Sequence, residues 1–197
     1  MELDKAIKNR ISIRKFKDKK PDWRDILDCI DSMRYTPMAG DNFTLKLVLV
    51  DDKEKIEKLA TAAQQDFISE TKYVLVVCSD PTRTVNAYKE RGEIYCKQQA
   101  GAAIQTFLLK IAEAGLATCW IGHFADEQVK RVLRIPEKIN VEAMFPIGYE
   151  FRKPVTRKIK ADLDAALYFN IYKNKKMKKI KRFEGEKIGL SKERSKR

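Results

Sequence analysis

Tyr73-Val74-Leu75-Val76-Val77-Cys78 is an unbroken apolar run of strand length, and its place between helical patterns decides the fold class. A run with no polar residue in alternate positions describes a strand covered on both faces. On its N-terminal side Ile56, Leu59, Ala60 and Ala63 recur at helical spacing, and before them Leu45 to Val50 reads as a second strand. Further back, Pro21-Asp22 marks a helix start followed by Trp23, Ile26, Leu27, Ile30 and Met33 along one face, and Leu3, Ala6 and Ile7 suggest a short first helix ending near Asn9. On the C-terminal side a helical stretch from about Thr84 to Ala114 carries an expected interruption near Gly92. Gly115 stands where a left-handed cap belongs. Ala117 to Gly122 reads as a short strand opening into a glycine turn. A helix with Val129, Val132 and Leu133 then stops ahead of Pro136, and Val141 to Tyr149 is a last strand. The expected architecture is α+β: one domain over residues 1–173, with helices on both faces of a mixed sheet, a C-terminal extension over 152–173 and a basic tail over 174–197.

Charge is distributed unevenly. Of a net +13, residues 152–197 supply +12, with 17 Lys and Arg against 5 Asp and Glu, so the body is nearly neutral. A run of this kind serves as a solvated tail, a docking arm for an anionic partner or a nucleic-acid contact. Cys29, Cys78, Cys96 and Cys119 are widely spaced, and His123 is the single histidine. This pattern indicates neither a zinc site nor a disulfide framework, and a reduced, cytoplasmic setting is expected. The apolar runs are too short for a membrane span.

Candidate chemistry concentrates in three segments. In Arg10-Ile11-Ser12-Ile13-Arg14, alternate residues offer guanidinium, hydroxyl and guanidinium to one side of an extended chain. That donor set suits a phosphate or a polarised ring edge, and the same pattern also arises as a solvated basic strand. Pro37-Met38-Ala39-Gly40-Asp41-Asn42 is a loop leading into a strand, and Ala100-Gly101-Ala102-Ala103 gives the long helix a small-residue centre. The scattered glycines form neither G-x-G-x-x-G nor a P-loop, and His123 has no nucleophile in a known local signature, so dinucleotide-cradle, NTPase and hydrolase readings find little support.

Taken in order, Arg10-x-Ser12-x-Arg14, the Pro37-to-Asn42 loop and the stretch from Ala100 to Trp120-Ile121-Gly122 resemble the nitroreductase-like family of FMN-dependent oxidoreductases over residues 1–150. The resemblance implies a homodimer holding two FMN molecules at its interface, with NADH or NADPH as donor and a small flat aromatic acceptor visiting the same flavin face. It places Arg10 and Ser12 on the FMN phosphate or ribityl chain and Arg14 near the pyrimidine edge of the ring, and it brings Ile121 and Gly122 near N5. No catalytic side chain is implied. The loop departs from the family's usual P-S-x-x-N-x-Q: Met38 stands at the Ser position, Asp41 at the Asn and Phe43 at the Gln, with Asn42 available through a one-residue shift. In the extension, Arg157 and Lys158 match the place of a basic residue on the partner's FMN phosphate, and Leu163, Leu167, Tyr168, Phe169 and Ile171 form an apolar handle. A competing reading is a flavin-type scaffold acting as a binding protein, its basic tail engaging nucleic acid or another polyanion. A third keeps the FMN site for a specialised substrate such as a halogenated aromatic.

Overall fold

In the computed structural model, Tyr73–Ser79 is buried at every position, as its composition requires of a central strand. The structure describes residues 2–152 and 161–177. The chain divides into two units, Met1–Thr156 and Arg157–Arg197.

The first unit holds four strands: β1 (Leu45–Val50), β2 (Tyr73–Ser79), β3 (Ala117–Thr118) and β4 (Asn140–Gly148). Its helices are α1 (Leu3–Asn9), α2 (Trp23–Asp31), α3 (Lys53–Ala63), α4 (Thr82–Tyr88), α5 (Glu90–Glu113) and α6 (Asp126–Leu133). The sheet order is β1-β2-β4-β3. Every described pair is antiparallel, which corrects the expected mixed sheet. The reason lies in the β1–β2 connection: after α3 a 3-10 turn at Asp66–Glu70 brings the chain back, so β2 starts beside the end of β1, with Val50 opposite Val74. One helix alone would have crossed to the far end and made the pair parallel.

Alternation along β2 builds both cores. Tyr73, Leu75 and Val77 join Ile26 and Met33 from the α2 side and Ile104, Phe107 and Ile111 of α5. Val74, Val76 and Cys78 meet Ile56 and Leu59 of α3, Ile68, and Val129 of α6. Helices therefore cover both faces, as expected, and each large side chain fully buried there contributes roughly 1.5–3 kcal/mol. Local signals act as their chemistry dictates: the Asp22 carboxylate accepts from the Arg24 N–H, and the Asp52 carboxylate from the Lys55 N–H, at the starts of α2 and α3. Gly115, at φ +71°, closes α5 while the Leu116 N–H reaches back to the Ile111 carbonyl at 3.0 Å.

The long helical stretch breaks at Lys89 (φ +53°, ψ −130°), three residues before the expected position. Gly92 has another task. A Cβ there would lie 2.5 Å from the Val85 backbone, so its missing side chain lets α5 press against α4.

In the second unit, α7 (Leu163–Ala166) is capped by Asp162, which accepts from the Asp164 N–H. Lys175 Nζ donates to the carbonyls of Asp164, Ala165 and Leu167 and lies 3.9 Å from the Tyr168 ring centroid. The Asn174 amide donates to the Phe169 carbonyl at 2.8 Å, so the folded turn of this unit reaches Lys175.

Candidate flavin site

The segment after α1 is extended and tied to the β3 edge. The Ile13 N–H donates to the Thr118 carbonyl at 2.9 Å, and Ile13 and Phe16 pack with Ala117. Ser12 and Arg14, on either side of buried Ile13, are exposed, while Arg10 is half-buried. This single backbone bond unites two of the three segments. Ser12 and Arg14 come up beside Cys119, one residue after the bond's acceptor: burial raises the Cys119 thiol's pKa, and the Arg14 charge and a hydrogen bond with Ser12 work against it. No ion pair among the described residues engages Arg10 or Arg14. Two guanidinium forks and a hydroxyl near a strand edge, with no carboxylate taking them up, have the chemistry of an anion site.

Beyond Cys119 the chain bonds again to β4. Ile121 exchanges both backbone hydrogen bonds with Met144 at 3.0 Å, and its side chain is buried, so its own polar groups are spent within the sheet. Gly122 is exposed. A Cβ there would meet nothing closer than Trp120 Nε1 at 3.6 Å, and its φ is not positive, so the fold itself does not require glycine. Its openness suits a flat group lying against the backbone. Trp120 stands edge-on to Phe145 at 5.7 Å and remains 43% exposed, forming an apolar wall beside Gly122. His123 is exposed.

The third segment lies elsewhere. Met38 and Ala39 line an open cavity of about 370 Å³ with Pro37, Tyr95, Gln98, Gln99 and Ala102. Asp41 is exposed with φ +52°. The Asn42 Nδ2 donates to Thr84 Oγ1 at 2.9 Å, so its amide hydrogens are directed at α4. The loop enters β1 at Leu45, opposite Ser79, whereas Thr118 faces Ile147, itself opposite Tyr73. Loop and arginine segment therefore lie at opposite edges and opposite ends of the sheet, about 14 Å apart across the strands and about 20 Å along them. Arg157 and Lys158 lie outside the described residues.

Two residues of this region escaped sequence reasoning. Gln99, buried on α5, accepts from the Thr44 N–H at 2.8 Å and from Thr44 Oγ1 at 2.6 Å, and its amide donates to the Asn42 carbonyl at 3.1 Å. A lone amide among apolar residues on the buried face of α5 was its only signal. Cys119 drew notice as a thiol, but its neighbours Ser12 and Arg14 arrive only through the long-range bond from Ile13.

Residues 7–82 and 61–149 match the profile of the nitroreductase family. The chain belongs to that family. A Methanothermobacter thermautotrophicus protein, provisionally named NADH dehydrogenase/NAD(P)H nitroreductase, is 26% identical over 162 residues, 80% of this chain and 82% of the relative. A solved structure from Parabacteroides distasonis, under the same provisional name, superposes with a TM-score of 0.77 at 26% identity, over 86% of this chain and 98% of its own. The NADPH:FMN oxidoreductase of Vibrio harveyi, solved with NAD+, shares the fold with a TM-score of 0.78 at 22% identity, over 87% of this chain and 78% of its own. Nitroreductase-family membership thus rests on sequence and fold together, and the three segments quoted above fall within the matched range.

Proposed function

We propose that this nitroreductase-family chain is an FMN-dependent oxidoreductase that oxidises NADH or NADPH and reduces a flat aromatic acceptor, nitroaromatic or quinone, in alternating half-reactions. The observation that carries the reading is the Ile13–Thr118 backbone bond, which brings Ser12 and Arg14 to the strand that continues into Gly122. FMN, when bound, supplies the two-electron carrier chemistry. Arg10 and Ser12 would hold its phosphate or ribityl oxygens. Arg14 would supply a fixed cation to the pyrimidine edge, favouring the added negative charge of the reduced state. Gly122 keeps the approach to the ring open, and Trp120 shields one side from water. No side chain of the set is assigned to proton transfer.

A second copy of the chain completes the site in this reading. The 38–42 loop is too far from its own Ser12 and Arg14 to reach the same flavin, so it would serve the flavin of its partner. Gly101 meets no heavy atom within 4 Å at its Cβ position, and Ile94 is exposed nearby on α5, a flat face suited to close packing between copies. Arg157 and Lys158 of the extension remain candidates for the phosphate of the partner's flavin.

The test compares Arg10→Ala with Arg14→Ala. The first should chiefly weaken FMN retention, by about 10-fold or more for the loss of a charge-assisted pair. The second should also lower the flavin's reduction potential. Equal FMN affinity in both variants and the parent, with unchanged potential, refutes the assignment.

A further inference from the structure

The chain segment that leaves the candidate site is strongly cationic: Arg14, Lys15, Lys17, Lys19 and Lys20 fall within seven residues, with Asp18 as the one carboxylate among them. Burial of Ile13 and of Phe16 puts a two-residue exposed step at Arg14-Lys15. The step shifts the alternation, so that Arg14, Lys15 and Lys17 all stand on the solvent side. The ridge is held in place. The Lys17 N–H donates to the Tyr149 carbonyl at 2.9 Å, and the Phe151 N–H to the Lys15 carbonyl at 3.0 Å. Three lysines also rest on aromatic rings: Lys15 Nζ is 5.0 Å from the Phe151 centroid, Lys19 4.7 Å from Tyr149 and Lys20 5.0 Å from Tyr73.

Neighbouring carboxylates offset the ridge only in part: Asp18 is paired with Lys72 at 2.8 Å, Glu70 accepts the Phe16 N–H at 3.3 Å, and Glu150 lies opposite Phe16 in a backbone bridge. No ion pair among the described residues engages Lys15, Lys17, Lys19 or Lys20. Counting Lys72, six cations face the three carboxylates of Asp18, Glu70 and Glu150, so a body of almost zero net charge carries a local excess of three positive charges along a segment that begins at a site residue.

We propose that this ridge selects the electron donor, drawing in the dinucleotide with the additional ribose phosphomonoester, so that NADPH is preferred over NADH. The inference rests on the flavin reading above, which makes Arg14 the inner end of the path. The two donors differ by one phosphomonoester, which carries roughly −1.5 to −2 charges at neutral pH. Lysines are suited to this task because they act as point charges that attract a phosphate without a fixed bidentate geometry. Steering by such an array raises association about 10-fold or more and weakens as salt shortens the screening length, from roughly 30 Å at 0.01 M to about 8 Å at 0.15 M.

The experiment uses the full-length FMN-loaded protein and the variant Lys15→Gln/Lys17→Gln/Lys19→Gln/Lys20→Gln, which removes charge while keeping most of each stem. At low ionic strength the parent should show kcat/KM for NADPH about 10-fold above that for NADH, the gap closing as salt is added. The variant should lose about 10-fold with NADPH and only about 3-fold with NADH, whose pyrophosphate carries roughly half the charge, with FMN content unchanged. In calorimetry, 2′,5′-ADP should bind the parent more tightly than 5′-AMP, and the variant should bind the two alike. Equal salt slopes for the two donors overturn the proposal, as does a variant that keeps the NADPH preference, or an RNA oligonucleotide that binds the ridge and displaces 2′,5′-ADP. A protein that takes up no FMN refutes the flavin reading instead, and the 2′,5′-ADP measurement then still decides the ridge.

Discussion

Replacing Gln99 by Leu tests how the 38–42 loop is held. The side chain is 5% exposed, and its orientation is settled by Thr44, whose backbone N–H can only donate and therefore meets the amide oxygen at 2.8 Å. Leu removes that acceptor while roughly conserving volume. The Thr44 N–H and hydroxyl, on a residue 3% exposed, are left without it. A buried donor stranded in this way costs about 1–3 kcal/mol, so two cost about 2–6, and added apolar burial returns about 1. The expected loss is about 3 kcal/mol, read from urea unfolding at constant m. Gln99→Glu keeps the acceptor for Thr44 and loses the donor to the Asn42 carbonyl, so its loss should be distinct and accompanied by pH dependence absent from the parent. Because Gln99 also holds Asn42, FMN retention should weaken in the Leu variant. A Leu variant within about 1 kcal/mol of the parent would refute the reasoning, since it would mean that Thr44 is satisfied without Gln99.

Gly92→Ala should destabilise by about 1–3 kcal/mol, the range for overpacking, because the new methyl meets the Val85 backbone at 2.5 Å rather than a flexible side chain; chemical denaturation measures it, and a neutral result removes the close α4–α5 contact from the account. Burial pushes the Cys29 thiol up to about 11 and the Cys78 thiol up to about 12, with Glu142 and Asp126 adding to the effect at Cys78. The native state then keeps protons that the unfolded chain releases near its ordinary value of 9.0, so stability is intact below that pH and falls as pH rises toward 11. Each thiol should contribute a downward slope of about 1.4 kcal/mol per pH unit in this window, and Cys29→Ala/Cys78→Ala should flatten the curve; identical slopes would contradict the burial argument.

Local chemistry was legible wherever one residue type decides the outcome. Asp22 caps α2, Gly115 closes α5, and the unbroken apolar run at Tyr73–Cys78 becomes the fully buried β2. Strand direction was not legible, because it depends on the short Asp66–Glu70 turn, whose sequence carries no periodic signal. A helix break is expected near Gly92, but here glycine serves packing and Lys89 takes the unusual backbone. At the site, the alternation of Arg10, Ser12 and Arg14 was visible, whereas the meeting of Ser12 and Arg14 with Cys119 required a bond across 105 positions, from Ile13 to Thr118. The loop residues Met38, Asp41 and Asn42 were legible as a group, but that Asn42 turns its amide toward Thr84 follows only from α4 packing.

The most direct test of the flavin reading is the visible spectrum of the purified full-length protein after incubation with FMN and gel filtration, followed by anaerobic addition of NADPH. The account predicts retained flavin at about one FMN per chain, a protein mass of two chains, and bleaching of the flavin band on addition of the donor. A colourless protein that retains no FMN, or retained flavin that neither NADPH nor NADH bleaches, would contradict it.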